Sequence, residues 1–226
     1  MSDPTISVSL PVYNGSAFLE EALRSVLAQD FRDFELVAVD DGSSDSSAAI
    51  LARYPEVTLL RQENRGVAAA RNVGVARGRG AYFAFIDQDD LWFPEKLRVQ
   101  FDFLTARPEV GVAVCREELL LDPGFSRPAW LRPEYSAESH PSYVPSSWLI
   151  PRAVLAAVGP FDERFRCGSD TDWLCRARDA GVVVATCPEV LLKKRVHAEN
   201  ESRQVELCQQ EMVRLLRDSI RRKRAQ

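Results

Sequence analysis

Phe83-Ala-Phe-Ile-Asp87-Gln-Asp89-Asp90 is a short apolar run that ends in three carboxylates within four positions. The Phe/Ala/Phe/Ile segment reads as a buried strand. Like charges crowded at a strand end repel one another and lose hydration, so they call for a counter-charge. A divalent cation is the economical answer: Mg or Mn prefers oxygen, and Mg is held by one or two carboxylates plus substrate phosphates. On this stretch alone, an acidic surface turn ahead of a helix at Pro94 is an equal alternative.

Upstream, the chain alternates between periods of two and 3.6 residues. Thr5 to Tyr13 reads as a strand that ends in a turn at Asn14-Gly15. Ser16 is placed to cap a helix carrying Phe18, Leu19, Ala22, Leu23, Val26 and Leu27. Phe34–Val39 and Val57–Leu60 are the next strands, with helices at Ala48–Tyr54 and Gly66–Ala76. Downstream, a helix runs from Pro94 to Ala106 and a strand from Val110 to Cys115. Such alternation predicts an α/β fold with a mostly parallel sheet flanked by helices.

Beyond Cys115 the alternation stops. The stretch Glu117–Pro145 holds five prolines (123, 128, 133, 141 and 145), Trp130, Tyr135 and His140, which suits a long functional loop or lid. Short elements follow: a strand at Trp148–Ile150, helices at Arg152–Val158 and Ser169–Ala180, and strands at Val182–Ala185 and Val190–Leu192. A long amphipathic helix, Ser202–Arg224, closes the chain.

At 226 residues, 46% hydrophobic and 27% charged, the chain fits one large domain or one domain with an appendage. A net charge of −4 provides no basic field for nucleic acid. The N-terminus has no secretory pattern, and no apolar run reaches the roughly 18–20 residues of a membrane span. Five cysteines (115, 167, 175, 187 and 208), an odd number without Cys-x-x-Cys, read as reduced thiols in a cytoplasmic protein, not as a disulfide or zinc framework.

Ligands of a parallel α/β sheet bind beyond the carboxyl ends of its strands. That rule gathers Pro11, Tyr13 and Asn14, then Asp40-Asp41-Gly42, then Asp87 and Asp89. Tyr13 offers a ring for stacking on a base; Asp40 or Asp41 offers a carboxylate to base or ribose. Taken alone, Asp40-Asp41-Gly-Ser-Ser is better read as turn and cap material. Arg71, or Arg65, on the helix opened by Gly66 is either a diphosphate ligand or a solvated arginine. Asp170, in Gly168-Ser-Asp-Thr-Asp172-Trp, is either a general base or a helix-start carboxylate; Ser169 is placed to cap that helix. His197 is either structural or a metal ligand. The terminal Arg221-Arg-Lys-Arg224 is a solvated helix end or a peripheral contact with anionic lipid at the inner face of a membrane.

In this order the segments resemble the family 2 glycosyltransferases of GT-A fold, a Rossmann-like sheet with a C-terminal acceptor-side region. The resemblance rests on Val8-Ser-Leu-Pro-Val-Tyr-Asn14, Val39-Asp-Asp-Gly-Ser-Ser-Asp45 and Asn64-Arg-Gly-Val-Ala-Ala-Ala-Arg-Asn72. Phe85-Ile-Asp-Gln-Asp-Asp90, Gly159-Pro-Phe-Asp162 leading to Asp170, and Arg195-Val-His197 with Asn200 and Ser202 complete it. It implies a nucleotide-sugar-binding half over 1–115, an acceptor-side and catalytic-base half over 116–200, and a C-terminal amphipathic helix over 201–226. It also implies an inverting, metal-dependent transfer of one sugar from a nucleotide-sugar donor, most often a UDP-sugar, to the hydroxyl of a glycan, lipid-linked or other acceptor. Pro11, Tyr13, Asp41, Arg71 and Asp87 would hold the donor nucleotide. Asp89, with Asp87 and His197, would hold Mn or Mg, and Asp170 would deprotonate the acceptor.

Two departures stand out. Ser169 occupies a position where the family often has Glu before the base. The Gln-x-x-Arg-Trp signature of processive synthases is missing, since the helix reads Trp173-Leu-Cys-Arg-Ala-Arg178. A degenerate domain that binds nucleotide or a partner without turnover is the alternative. A nucleotidyltransferase is disfavoured because Asn14-Gly15-Ser16 supplies no basic residue.

Overall fold

The computed structural model describes residues 2–122, 139–197 and 205–224. Its N-terminal part alternates β1 (Ile6–Val12), α1 (Leu19–Leu27), β2 (Phe34–Asp40), α2 (Ser47–Leu51), β3 (Val57–Arg61), α3 (Val67–Arg77) and β4 (Tyr82–Phe85). There follow β5 (Leu91–Trp92), α4 (Lys96–Thr105), β6 (Val110–Leu121), β7 (His140–Pro141), a 3-10 turn at Pro145–Ser147 and β8 (Leu149–Pro151). The last elements are α5 (Arg152–Val158), α6 (Ser169–Asp179), β9 (Val183–Val196) and α7 (Val205–Arg224).

Among the described residues the strands form one sheet in the order β3-β2-β1-β4-β8-β6-β9-β5, with β7 paired to β6. The expected parallel arrangement holds for β3-β2-β1-β4. Beyond β4 the sheet is mixed, with β8 antiparallel to both β4 and β6, and β6 parallel to β9. β1 is buried at every position because parallel neighbours and helices on both faces exclude water, hence its run of Ile, Val and Leu.

The faces of β1 differ in a way that places the site. Ile6, Val8, Leu10 and Val12 pack with Leu19, Leu23 and Val26 of α1 in one core cluster. Ser7 and Ser9 lie on the other side, where a Cβ on Gly74 of α3 would come within 2.2 Å of Ser9 Oγ. Small residues (Ala68, Ala69, Ala70 and Gly74) therefore let α3 lie close on the sheet, and Arg71 is buried with them. A second cluster gathers Phe83, Phe85, Trp148, Phe161 and Trp173. The Trp148 and Phe161 rings stack there at 6.3 Å.

Several details correct the sequence expectations. β6 continues to Leu121, so Glu117–Leu121 is strand and not loop. Trp130, Tyr135 and Pro123, Pro128 and Pro133 lie outside the described residues, as do Asn200 and Ser202. The two short strands expected after Gly181 are one, β9. Its pairing with β6 skips from Thr186 to Val190 between Val114 and Arg116, which absorbs Pro188 where a missing N–H breaks no ladder bond. Ser16 does not cap α1: the cap position is Phe18, and the Ser16 amide donates to Asp45. Gly168, not Ser169, stands at the cap of α6. The cysteines are not all reduced thiols: Cys167 is bonded to Cys208 across a Cα separation of 5.4 Å, while Cys115, Cys175 and Cys187 are free. A proximity created by the packing of α7 brings these two together, and spacing along the chain carries no trace of it.

Candidate functional site

A cavity of about 1300 Å³ opens at the carboxyl ends of β1, β2 and β4. Pro11, Tyr13, Asp41 and Arg71 line it, and so do Asp87, Asp89, His197 and Asp170. These eight candidates thus meet in one space, including two from beyond residue 165 that the chain returns to it, while Asp40 does not line it.

The β1 and β2 end of the cavity is pinned by hydrogen bonds to the main chain. The Tyr13 amide donates to Gln88 Oε1 at 2.9 Å and Gln88 Nε2 donates to the Tyr13 carbonyl at 3.0 Å, leaving the ring 48% exposed toward the cavity. Asp41 is buried. It accepts from Gln62 Nε2 at 2.6 Å, the Arg65 amide at 2.9 Å and the Gly66 amide at 2.8 Å. It therefore fixes the turn before α3 and keeps limited acceptor capacity for a ligand. Gly66 adopts φ +90 with open space around a notional Cβ, so its role is the turn and not a close approach. Asp40 is withdrawn from the cavity, paired with Arg61 at 3.0 Å and capping the Ser43 amide at 2.9 Å.

At the β4 end each carboxylate has a basic side chain beside it. Arg71 donates to Asp87 Oδ1 at 2.6 Å, His197 Nε2 lies 2.9 Å from Asp89 Oδ2, and Lys194 Nζ lies 3.0 Å from Asp90 Oδ2 and 3.8 Å from Asp87 Oδ2. The chain itself thus supplies part of the counter-charge that the sequence called for. Asp90 is fully buried, accepts from Ser146 Oγ at 2.6 Å and the Arg195 amide at 3.1 Å, and is pushed up to about 7 by burial against the pull of Lys194. Burial disfavours the Lys194 charge, but Asp90, Asp89 and Asp87 outweigh it and raise its pKa. Burial likewise opposes ionisation of Asp89, while Lys194 and His197 prevail and hold it below its ordinary value. Lys194 and Ser146 are not among the residues expected from sequence. Lys193-Lys194-Arg195, a basic run closing an apolar strand, is the signal that would have pointed to the first.

Asp89 and His197 form an adjacent oxygen and nitrogen donor pair, and the His197 ring is backed by Phe18 at 4.6 Å. The Asp89 carboxylate suits Mn or Mg, and the His197 nitrogen suits Mg less well. Among the described residues no group of three His, Cys, Asp or Glu side chains converges on an ion. An ion here would draw its remaining ligands from phosphate and water.

Asp170 sits in the first turn of α6, where Oδ1 accepts from the Thr171 amide at 2.6 Å. Burial raises its pKa above the ordinary aspartate value, against the lowering influence of Arg71. Trp173 anchors the helix as the sequence implied: it is fully buried, and its Nε1 donates to the Gly159 carbonyl at 2.9 Å. Asp172 is taken up by Arg176 at 2.8 Å, which leaves Asp170 as the carboxylate of this helix that faces the cavity. The loop ahead of α6 is held from α7, since Glu211 accepts from the amides of Arg166, Cys167 and Gly168 at 2.9, 2.8 and 3.0 Å.

The opposite wall of the cavity carries Glu117, His140, Ser142 and Tyr143. Glu117 Oε1 lies 2.9 Å from His140 Nε2, and Ser142 Oγ donates to its other oxygen. Of this wall, the sequence had singled out only His140.

Residues 7–165 match the family model "Glycosyl transferase family 2", and the chain belongs to that family. An uncharacterized glycosyltransferase of Rickettsia typhi is 31% identical over 86% of this chain, and the alignment spans 64% of that relative's length. A mannosyltransferase from Pyrobaculum calidifontis, solved in complex with GDP-Man and Mn2+, superposes with a TM-score of 0.75 at 22% identity, over 98% of this chain and 65% of that one. S. aureus TarS, solved in complex with UDP-GlcNAc, gives a TM-score of 0.70 at 22% identity over 87% and 60% of the two chains. The fold is GT-A, with a curled mixed sheet and flanking helices, as the sequence resemblance implied.

Proposed function

We propose that this chain transfers one sugar from a nucleotide-sugar donor to an acceptor hydroxyl, with inversion at the anomeric carbon. What carries the reading is the convergence of base, cation cluster and acidic strand end on one cavity. Tyr13, Pro11 and Asp41 receive the nucleoside and Asp87 the ribose, while Arg71 and Lys194 stand where a diphosphate needs positive charge. A divalent cation held by Asp89 with His197 would neutralise charge on the departing nucleoside diphosphate. Asp170 accepts the proton of the acceptor hydroxyl, and the acceptor oxygen forms the new bond to the anomeric carbon as the diphosphate leaves with the old bond's electrons. The raised affinity of Asp170 for a proton suits that task. UDP is the proposed nucleotide, with GDP as the competing arm.

The acceptor is proposed to be a glycan or lipid-linked hydroxyl. In keeping with a membrane-associated acceptor, α7 exposes Met212, Val213, Leu216 and Ile220, and Arg217, Arg221 and Arg224 lie on the adjoining sector. Apolar side chains flanked by arginines fit an anionic lipid surface. Flotation with vesicles containing phosphatidylglycerol, and none with pure phosphatidylcholine, is the expected result. No helix of the described residues is long and apolar enough to cross a membrane.

Calorimetry of UDP and GDP, with and without Mn, on wild type and Asp89→Asn tests the donor reading. Binding that needs both metal and Asp89 supports it. Loss of transfer in Asp170→Asn with nucleotide binding intact separates catalysis from the nucleotide-binding alternative that Ser169 keeps open.

A further inference from the structure

The family match ends at residue 165, three residues before the cap of α6. What holds the intervening loop comes from the far end of the chain. Glu211 is 9% exposed and points its carboxylate into three consecutive backbone amides, those of Arg166, Cys167 and Gly168. A carboxylate in such a nest makes charge-assisted bonds, stronger than neutral ones and directional. Cys208, one turn earlier on α7, is bonded to Cys167 in the same loop. Farther along, Ser219 Oγ and Arg222 Nε reach Asp179 Oδ2 of α6 at 2.9 and 3.0 Å. Leu215 is buried beneath α7, and Arg214 lies over the Phe165 ring at 5.6 Å. The inner face of α7 is thus fastened to both ends of the segment that presents Asp170.

We propose that Glu211 is a positioning residue for the transfer reaction, fixing the 166–168 loop and through it the first turn of α6. This rests on the assignment of Asp170 as the base. Gly168 and Ser169 offer no side-chain cap to that turn, so beside the Cys167–Cys208 bond the loop's amides depend on an outside acceptor. Three amides left without Glu211 would have to turn toward water, and the loop would move with them. A shift of about 1 Å at the base costs on the order of 100-fold in rate.

The test compares Glu211→Ala, Glu211→Gln and, as a control on the exposed face of α7, Glu206→Ala. Three quantities are read: UDP and GDP affinity with Mn, hydrogen exchange of the amides at 166–168, and nucleotide release from UDP-GlcNAc and GDP-mannose with water as acceptor. Glu211→Ala should leave nucleotide affinity and donor KM within about twofold while the loop amides exchange at least tenfold faster and kcat falls about 100-fold. Glu211→Gln keeps one acceptor oxygen and should fall between Ala and wild type; Glu206→Ala should match wild type. Unchanged loop exchange in Glu211→Ala overturns the inference, and so does faster exchange with wild-type kcat. A parallel loss of nucleotide affinity overturns it too, by showing a general structural role. A wild type without nucleotide affinity or turnover refutes the proposed function instead, and the exchange comparison still decides whether Glu211 holds the loop.

Discussion

Replacing Lys194 with methionine removes an ammonium while keeping most of the stem that fills its site. Its Nζ lies 3.0 Å from Asp90 and 3.8 Å from Asp87, and the Asp90 side chain is wholly shielded from water. At an effective dielectric near 20, Coulomb attraction is roughly 5–6 kcal/mol for the first pair and about 4 kcal/mol for the second. Desolvation of the ammonium offsets much of this, so the intact cluster adds little net stability. Breaking it is different, because Asp89, held ionised chiefly by Lys194, then loses that counter-charge at a cost of about 3–5 kcal/mol, while Asp90, already pushed up to about 7, takes up a proton. Against a total stability of about 5–15 kcal/mol, that brings the variant close to unfolding. Urea denaturation at pH 7, followed by tryptophan fluorescence, should show this loss in Lys194→Met and a smaller one in Lys194→Arg. The loss should change little between low and high salt, since buried pairs are poorly screened. A loss below about 1 kcal/mol, the range of an exposed pair, would refute the view that Lys194 holds the acidic cluster.

Asp170→Asn should lower turnover by about 100-fold to 10,000-fold while nucleotide affinity stays within error, measured by product formation and calorimetry. Asp170 must be ionised to act, so kcat/KM should fall as pH drops, with its acid limb above the ordinary value of 3.8. Arg71 lowers the Asp170 pKa, and Arg71→Gln should therefore move that limb to higher pH. The raised pKa also means that the fold disfavours the ionised form. Wild-type stability contributed by this group declines as pH rises from 3.8 through the folded value, and Asp170→Asn should melt no lower than wild type at pH 7. Trp173→Ala empties a fully buried site beside Trp148 and Phe161, and a loss of about 3–5 kcal/mol is expected in the same denaturation assay.

The strand-end residues were legible because their placement follows from local pattern. Once Ile6–Val12, Phe34–Asp40 and Tyr82–Phe85 are strands of one parallel sheet, Tyr13, Asp41 and Asp87 must fall at one edge. Trp173 was readable from the apolar positions of its helix, whereas Arg71, on an Ala-rich helix, was singled out by the motif Asn64-Arg-Gly-Val-Ala-Ala-Ala-Arg-Asn72. Long-range contacts were not. Lys194 pairs with Asp90 across 104 residues, and the basic run around Lys194 does not say which acids it meets. Glu211 looks like any acid on an amphipathic helix until α7 is packed, and the Cys167–Cys208 bond is hidden by the same fact. The helix caps failed differently. Ser16 and Ser169 are good cap formers, yet the caps fall at Phe18 and Gly168, and the Ser16 amide is held by Asp45 through a contact that propensity does not register.

β9 brings Lys194, Arg195 and His197 to the acidic edge from the last quarter of the chain. A ribosome delivers these residues long after it has delivered the acids. When the nascent chain has emerged only as far as Cys115, Asp87, Asp89 and Asp90 are present, and Arg71 is the sole one of their basic partners already made. The half-made sheet therefore carries an uncompensated charge at its edge, which resists compaction there, and the parallel seam between β6 and β9 cannot zip until the final strand arrives. The acidic end of the cavity is thus among the last parts of the molecule to come into being, and its completion coincides with the closing of the sheet.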